Sequence, residues 1–298
     1  MKEVKAGIAC NGGRKPLAFR LLRAALFLVL GIAGIPRAQD LQTARETGEP
    51  FDYSLYAVVL QRFVDEAGLV DYAELSRHRE TLDRFITRLA AVDTARLERA
   101  GDSDRIAFWI NAYNALTLRV VIDHYPIKAG FLRSLVYPAN SIRQIPGVWD
   151  EIRFPVAGRE RTLDEIEHRI LRRDFREPRI HFALVCASLG CPVLRREPYE
   201  GPRLDAQLDD QVRRFLADPS KFQWEEENQV LRISPIFRWF EADFAPSCRG
   251  NAAGRAPVIC FLRRYLPPER SGLLDSPQLR IEYLDYDWRL NDRGAPPR

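Results

Sequence analysis

The stretch Ile106-Ala107-Phe108-Trp109-Ile110-Asn111-Ala112-Tyr113-Asn114-Ala115-Leu116-Thr117-Leu118-Arg119-Val120-Val121-Ile122 is apolar on nearly every face of a 3.6-residue helix. A helix of that kind is buried all round. Ser103 stands where a cap would, so the helix is expected to start with Asp104 and run to about His124, where Pro126 forbids continuation. It should be the central element, with the rest of the chain packed around it.

Working outward, Ser54 precedes Leu55, Val58, Val59, Phe63 and Val64, spaced for an amphipathic helix that Gly68 ends. Residues 75–89 read as a second helix. Beyond the central helix, 129–150 has no clear period and carries Pro138, Asn140, Pro146 and Gly147, which predicts a long surface loop. Residues 152–156 and 159–161 form a hairpin around Ala157-Gly158. Thr162 with Glu165 matches a capping box that opens a helix through Arg172. Residues 180–186 read as a short apolar strand and 204–216 as a helix. A further hairpin joins 222–224 to 229–233, and Ser234-Pro235 starts a helix to about Phe244. A helix at 259–265 and a last strand at 280–283 complete the reading. Helices come first and strands later, without regular alternation. That pattern predicts an α+β fold, a central buried helix packed with other helices against a small, mostly antiparallel sheet.

The first forty residues differ in character. Lys2, Lys5, Arg14, Lys15, Arg20 and Arg23 lead into the apolar run 24–35, followed by Pro36-Arg37-Ala38-Gln39. This is the layout of a secretory signal peptide, expected over 1–38, with a flexible linker at 39–50, one domain at 51–291 and a disordered tail at 292–298. The apolar run is shorter than the roughly 20 residues that span a bilayer. An uncleaved signal would be the chain's only link to a membrane. The expected location is therefore periplasmic or secreted. Residues 1–38 hold seven Lys/Arg and one acid, so the remainder carries about −2 of a whole-chain net charge of +4. With no basic patch interleaved with aromatics, nucleic-acid binding is not expected. Cys186, Cys191, Cys248 and Cys260 follow the signal, in a compartment that permits disulfides. A structural Cys248–Cys260 bridge across the intervening loop is the preferred pairing.

Several chemistries are missing from the sequence. There is no Gly-rich phosphate loop, no paired-histidine metalloprotease helix and no Gly-x-Ser-x-Gly elbow. Nothing calls for a cofactor or a metal. The densest polar and thiol grouping is 179–192, from Arg179 through His181, Cys186, Ala187, Ser188 and Gly190 to Cys191-Pro192. Three readings of Cys186 stand side by side: a nucleophile on a tight turn amid backbone N–H groups, a partner of Cys191 in a disulfide, or an inert buried thiol. On a regular strand, His181 and Cys186 would point to opposite faces about 16 Å apart, which would exclude a direct dyad. His168 is then the better base, with Asp164 at i−4 able to orient it, against the plainer reading of a solvated helix residue. A zinc site from His181, Cys186 and Cys191 has the right atoms at an unfamiliar spacing. Asn111 and Asn114 share a face of the buried helix. They either brace a neighbouring loop or line the pocket, where Asn111 could orient an imidazole.

The segment 108–116, the Gly158 hairpin followed by Leu163-Asp164-Glu165-Ile166-Glu167-His168, the run His181 to Cys191-Pro192 and the closing Tyr286-Asp287-Trp288-Arg289-Leu290-Asn291 together resemble the bacterial domain of unknown function 547. The resemblance extends over 51–291. It implies that Trp109, Asn111, Asn114, Glu167, His168, His181, Cys186 and Cys191 belong to the family's motif set, and that Cys248 and Cys260 do not. A buried helix beside a sheet with Cys and His also invites analogy with cysteine peptidases and transglutaminases, at the level of fold only. Two functions are compatible with these residues. One is a thiol hydrolase or acyltransferase acting on amide bonds of a peptide or cell-wall fragment. Cys186 or Cys191 would be its nucleophile, His168 its base and Asn111 or Asp164 the orienter, with His181 and Ser188 close by. The other is a non-catalytic envelope binding module, in which exposed aromatics such as Trp239-Phe240 meet a partner.

Overall fold

Four short helices, α1 (Ser54–Phe63), α2 (Tyr72–Arg77), α3 (Glu80–Ala90) and α4 (Thr94–Arg99), lead into the long α5 (Asp102–Asp123). They are seen in a computed structural model that describes residues 51–248 and 256–294. The stretch read as one helix over 75–89 is two, because the chain leaves helical geometry at His78. Helix α4 escaped the sequence reading for a simple reason: none of its residues is buried, so it has no apolar period. Its start is marked by Asp93, whose side chain accepts from the Arg96 N–H at 2.9 Å. The central helix begins at Asp102, not after Ser103, and has no side-chain cap; Asp102 and Asp104 in its first turn complement the helix dipole instead.

As expected, α5 is buried along nearly its whole length, packed among α2, α3, the helix at 165–175 and a later helix at 204–217. Its two asparagines are the means by which it grips irregular chain. The Asn114 side chain donates to Ala183 O at 3.0 Å and accepts from Val185 N at 2.9 Å. Asn111 does the same for Tyr199, donating to its carbonyl at 2.8 Å and accepting from its N–H at 2.9 Å. Each amide thus replaces a strand neighbour.

Strands β1 (Phe154–Val156) and β2 (Arg159–Arg161) pair antiparallel around Ala157 and Gly158, both at positive φ as a tight two-residue turn requires. The Thr162–Glu165 capping box is present in both directions: Glu165 N donates to Thr162 Oγ1 and Thr162 N to Glu165 Oε2. The helix it opens, Glu165–Phe175, is π-helical and continues past Arg172 to a left-handed Arg176. Residues 180–186 are not a strand. Pro178 starts a 3-10 turn, Pro178–Phe182, whose Arg179 N–H donates to the Glu177 side chain; Ala183 and Leu184 then donate back to Ile180. The apolar run is buried, but its polar groups go to this turn and to Asn114 rather than to a sheet.

Helix α6 (Leu204–Ala217) is followed by β3 (Phe222–Glu225), β4 (Val230–Ile233), α7 (Ile236–Trp239) and a 3-10 segment, Glu241–Ser247. Helix α8 (Pro257–Leu262), α9 (Pro268–Ser271) and β5 (Arg280–Tyr283) complete the order. In the three-stranded sheet, β3 pairs antiparallel with β4, and β5 joins β4 in parallel. The fold is α+β, with the sheet displaced from the central helix. Helices α1, α2, α3 and α5 build one apolar cluster; the sheet with α7 and α8 builds a second around Phe182, Phe237, Phe244 and Phe261, and α6 contributes Leu204 and Leu208 to the first and Val212 and Phe215 to the second. Residues 180–191 form the wall between them. A disulfide joins Cys248 to Cys260, as the preferred pairing expected.

Three expectations about loops and ends need comment. The segment 129–150 is not simply a surface loop, because Ile142, Gln144, Ile145 and Val148 are buried. Asp292 bridges Val70 and Arg293 N donates to Val70 O, so the start of the expected tail is tied down as far as Gly294. The expected signal peptide at 1–38 and the expected linker at 39–50 lie outside the described residues, as does 295–298. No helix among the described residues is long and apolar enough to cross a membrane.

If the amide bracket carries the 180–191 wall, Asn114→Leu should fold less stably although it keeps the side-chain volume. Each stranded backbone group costs about 1–3 kcal/mol, which a lowered urea midpoint at unchanged m-value would register.

Candidate active site

The wall segment turns sharply where the two clusters meet. Ala187 adopts a left-handed conformation (φ 57°), uncommon for a residue with a Cβ, and Cys191 N closes the turn on Ser188 O at 3.1 Å. The turn is held from outside by the C-terminal motif: Leu189 N donates to Arg289 O and Gly190 N to Asp287 O, both at 2.8 Å. Gly190 lacks a Cβ where one would stand 2.8 Å from the Tyr286 ring, so glycine lets that ring lie flat on the turn. The fold-back brings Cys191 Sγ to the Cys186 N–H at 3.0 Å, and the two cysteines are joined by a disulfide. Of the three readings of Cys186, the structure holds the bridged one. Cys186 is partly exposed and Cys191 buried. The Tyr286 hydroxyl, kept protonated by burial, lies 3.3 Å from Cys186 Sγ and 3.1 Å from Cys191 Sγ, and Ser188 Oγ donates to it at 3.1 Å.

Both histidines reach the same cleft, but their nitrogens are not equally free. His168 Nδ1 accepts from Arg172 Nη1 at 2.9 Å, which places the proton on Nε2, 3.1 Å from Asp164 Oδ1. The expected Asp164–His168 pairing is present. It leaves His168 without a spare lone pair, so the sequence preference for His168 as base is not supported.

His181 is the opposite case. Its Nε2 lies 2.8 Å from Asp243 Oδ2, an acceptor that also takes a 2.5 Å bond from Arg172 Nε. A carboxylate can only accept, so His181 carries its proton on Nε2 and leaves Nδ1 as a bare lone pair. That Nδ1 is buried and has no partner among the described residues. The ring stacks on Phe240 at 4.0 Å between centroids. Burial pushes the His181 pKa down, only partly opposed by the Asp243 bond, so the imidazole is neutral at pH 7. Partial burial resists ionisation of Asp243, but the bonds from His181 and Arg172 outweigh it and hold its carboxyl well below the usual range. The argument that His181 and Cys186 cannot share a site assumed a straight strand. Without that strand, both line one cavity.

The cavity measures about 320 Å³, within the size range of small-ligand pockets. It gathers Asp164, Glu167, His168, His181, Cys186 and Cys191 from the residues singled out in the sequence. Asn111, Asn114, Trp109 and Ser188 do not line it. Asn111 braces Tyr199 instead of orienting an imidazole. Trp109 is buried under the Arg161 guanidinium at 5.1 Å. Ser188 acts through Tyr286. Sequence reasoning missed Asp243, Arg172, Arg143 and Trp149. Tyr286 and Trp288 at least lay within a quoted motif, whereas Asp243 looked like the polar side of a surface helix and Arg143 part of a loop. With both sulfurs bridged, the set His181, Cys186, Cys191 offers zinc no thiolate. Among the described residues, no group of three or more His, Cys, Asp or Glu side chains could share a metal ion.

These features define an α+β domain whose pocket sets a cysteine pair beside a histidine–aspartate pair. Residues 97–216 match a family model described as "Protein of unknown function, DUF547", the family that the sequence motifs resemble. The match takes in α5, the π-helix and the cysteine turn but stops short of Asp243 and Tyr286. No curated protein matches the chain, and no solved structure does.

The pH dependence of folding tests the His181 assignment. Below its ordinary value of 6.5 the unfolded chain binds a proton that the native His181 resists. Stability should therefore be full above that pH and fall as the pH drops toward the lower native value. Asp243 adds a further loss of the same sign at more acid pH, as its carboxyl protonates. In His181→Gln the first limb of the urea-midpoint profile should vanish while the more acid one persists.

Proposed function

We propose that this domain is a thiol-dependent hydrolase or acyltransferase acting on amide bonds in the cell envelope, with Cys186 as nucleophile and His181 as base. The observation that carries this reading is the unpartnered Nδ1 of a buried, carboxylate-oriented imidazole in a cavity that also holds the cysteine pair. An imidazole whose other nitrogen is committed to a carboxylate is held in one tautomer and one orientation, as general-base chemistry requires. Asp243 takes the orienting role that the sequence had assigned to Asn111 or Asp164. An envelope location is supported by two disulfides in one domain, a pattern of oxidising compartments.

The working form requires the Cys186–Cys191 bridge to open. A dithiol reductant would supply two electrons and two protons, leaving two thiols and a new disulfide in the reductant. His181 Nδ1 then takes the Cys186 proton as sulfur attacks the amide carbonyl. The same proton passes to the departing amine when the C–N bond breaks. Water, or an acceptor amine in a transferase, resolves the thioester with His181 again as base. Tyr286 OH, close to both sulfurs, is the donor at the turn that meets developing charge.

The bridge itself favours a second reading, a non-catalytic envelope binding module, since a closed disulfide presents no nucleophile. Reduction separates the two. After mild reduction, an iodoacetamide-type probe should label Cys186 faster than an unfolded thiol, and the protein should cleave N-acyl amino-acid amides or cell-wall peptides. His181→Ala should lower that rate by about 10²–10⁴, and Cys186→Ala should abolish it. A reduced protein that neither labels quickly nor turns over any such amide would leave the binding module standing.

A further inference from the structure

Arg143 is a cation of the pocket that nothing in the described structure neutralises. Its guanidinium carbon lies 4.2 Å from the ring centre of Trp288, 4.8 Å from Trp149 and 5.1 Å from Tyr137. Nε is buried and meets no acceptor, and the side chain forms no ion pair with any described carboxylate. The contrast with Arg172 is instructive, because that guanidinium at the same site is locked on Asp243 through two bonds. Ring faces can hold and aim a guanidinium, but they do not cancel its charge. A charge packed on an aromatic wall without a counter-ion is a costly arrangement, and one that a ligand anion relieves.

The chemistry of the anion follows from the donor. A planar guanidinium matches a carboxylate with two parallel N–H bonds, a fit that a point-charge ammonium lacks. The acids of the pocket, Asp164 and Glu167, pair with other groups: Asp164 with His168, while Glu167 lies near both His168 and the Tyr113 hydroxyl. Neither forms an ion pair with Arg143 among the described residues, so that guanidinium is left to pair with a carboxylate of the ligand. We propose that Arg143 receives a free carboxylate of the substrate, so that the amide presented to Cys186 lies close to the C-terminus of a peptide. A cavity of about 320 Å³ shared by Arg143 and Cys186 accommodates only a short stretch of peptide between them. The peptide half of this statement rests on the hydrolase reading; the carboxylate site stands apart from it.

The test uses the full chain with the bridge closed, so that binding is read without turnover. Acetyl-Ala-Ala with a free carboxylate is titrated against its C-terminal carboxamide, following the fluorescence of the tryptophans around Arg143. The acid should bind at least about tenfold more tightly than the carboxamide, a difference of one decade in Kd. Arg143→Met should erase that ratio, and Arg143→Lys should keep only part of it. If the methionine variant fails to fold by circular dichroism, the acid-to-carboxamide ratio in the wild type and the lysine variant decides. Equal binding of acid and carboxamide, absence of binding by either, or displacement of the acid by equimolar inorganic phosphate overturns the proposal. Reduction then separates it from the hydrolase reading. Carboxylate-selective binding with no turnover sinks the hydrolase alone, whereas turnover without selectivity sinks the Arg143 site alone.

Discussion

The structure depends on two buried amides. Asn111 and Asn114 project from the central helix into chain that has no regular hydrogen-bonding pattern, and each offers one donor and one acceptor to a backbone C=O and N–H. Buried backbone groups must be paired, and a segment that is neither helix nor sheet normally stays at the surface where water serves. The brackets remove that restriction. The Asn114 bracket lets residues 180–191 run irregularly through the interior, with Ile180, Phe182, Ala183 and Val185 all sealed, and Asn111 does the same for the chain at Tyr199. A strand would have forced neighbouring side chains to alternate between faces. Irregular chain can send His181 and Cys186 toward one cavity.

The same segment is the partition between the helical cluster and the sheet-backed cluster, so the pocket lies where the two halves of the domain meet. Each half contributes something the other cannot. The helical half supplies His168 and Arg172 from a π-helix, a geometry often found at functional sites, and Asp164 from the residue that precedes it. The sheet-backed half supplies Asp243 and Phe240, which fix the tautomer and plane of His181. The closing motif at 286–291 lies across the turn and brings Tyr286 onto both sulfurs. Arg172 connects the two halves, bonding His168 on its own helix and Asp243 opposite. That one guanidinium explains why the two histidines differ: it occupies the lone pair of His168 and strengthens the carboxylate that directs His181.

How much of this could be read beforehand varies from residue to residue. Asn111 and Asn114 stood out because amides on an all-apolar helix need partners, and the bracing role anticipated for them is the one found. The capping box at Thr162–Glu165, the hairpin at Ala157-Gly158 and the Cys248–Cys260 pairing were legible because each depends on residues close in sequence. The strand at 180–186 misread an apolar run: burial was correct, but period and length alone do not distinguish a strand from buried irregular chain. That error moved the choice of candidate base from His181 to His168. Asp243 was invisible because its role comes from a contact with His181 across 62 positions of sequence. Arg143 was hidden within a segment whose second half looked exposed and is in fact packed.

By itself, the sequence determined the central helix, the α+β class, the local caps and turns, and the set of reactive side chains clustered at 164–168 and 181–191. These follow from periodicity and short-range chemistry, which act over a few residues. Only the tertiary structure decided which imidazole nitrogen is free, which carboxylate directs it, that the two central cysteines meet, and that a guanidinium waits among three rings. Such outcomes depend on directions and distances between segments brought together by packing. Buried partners must satisfy one another's hydrogen bonds and charges, and no local pattern records which partner each will find.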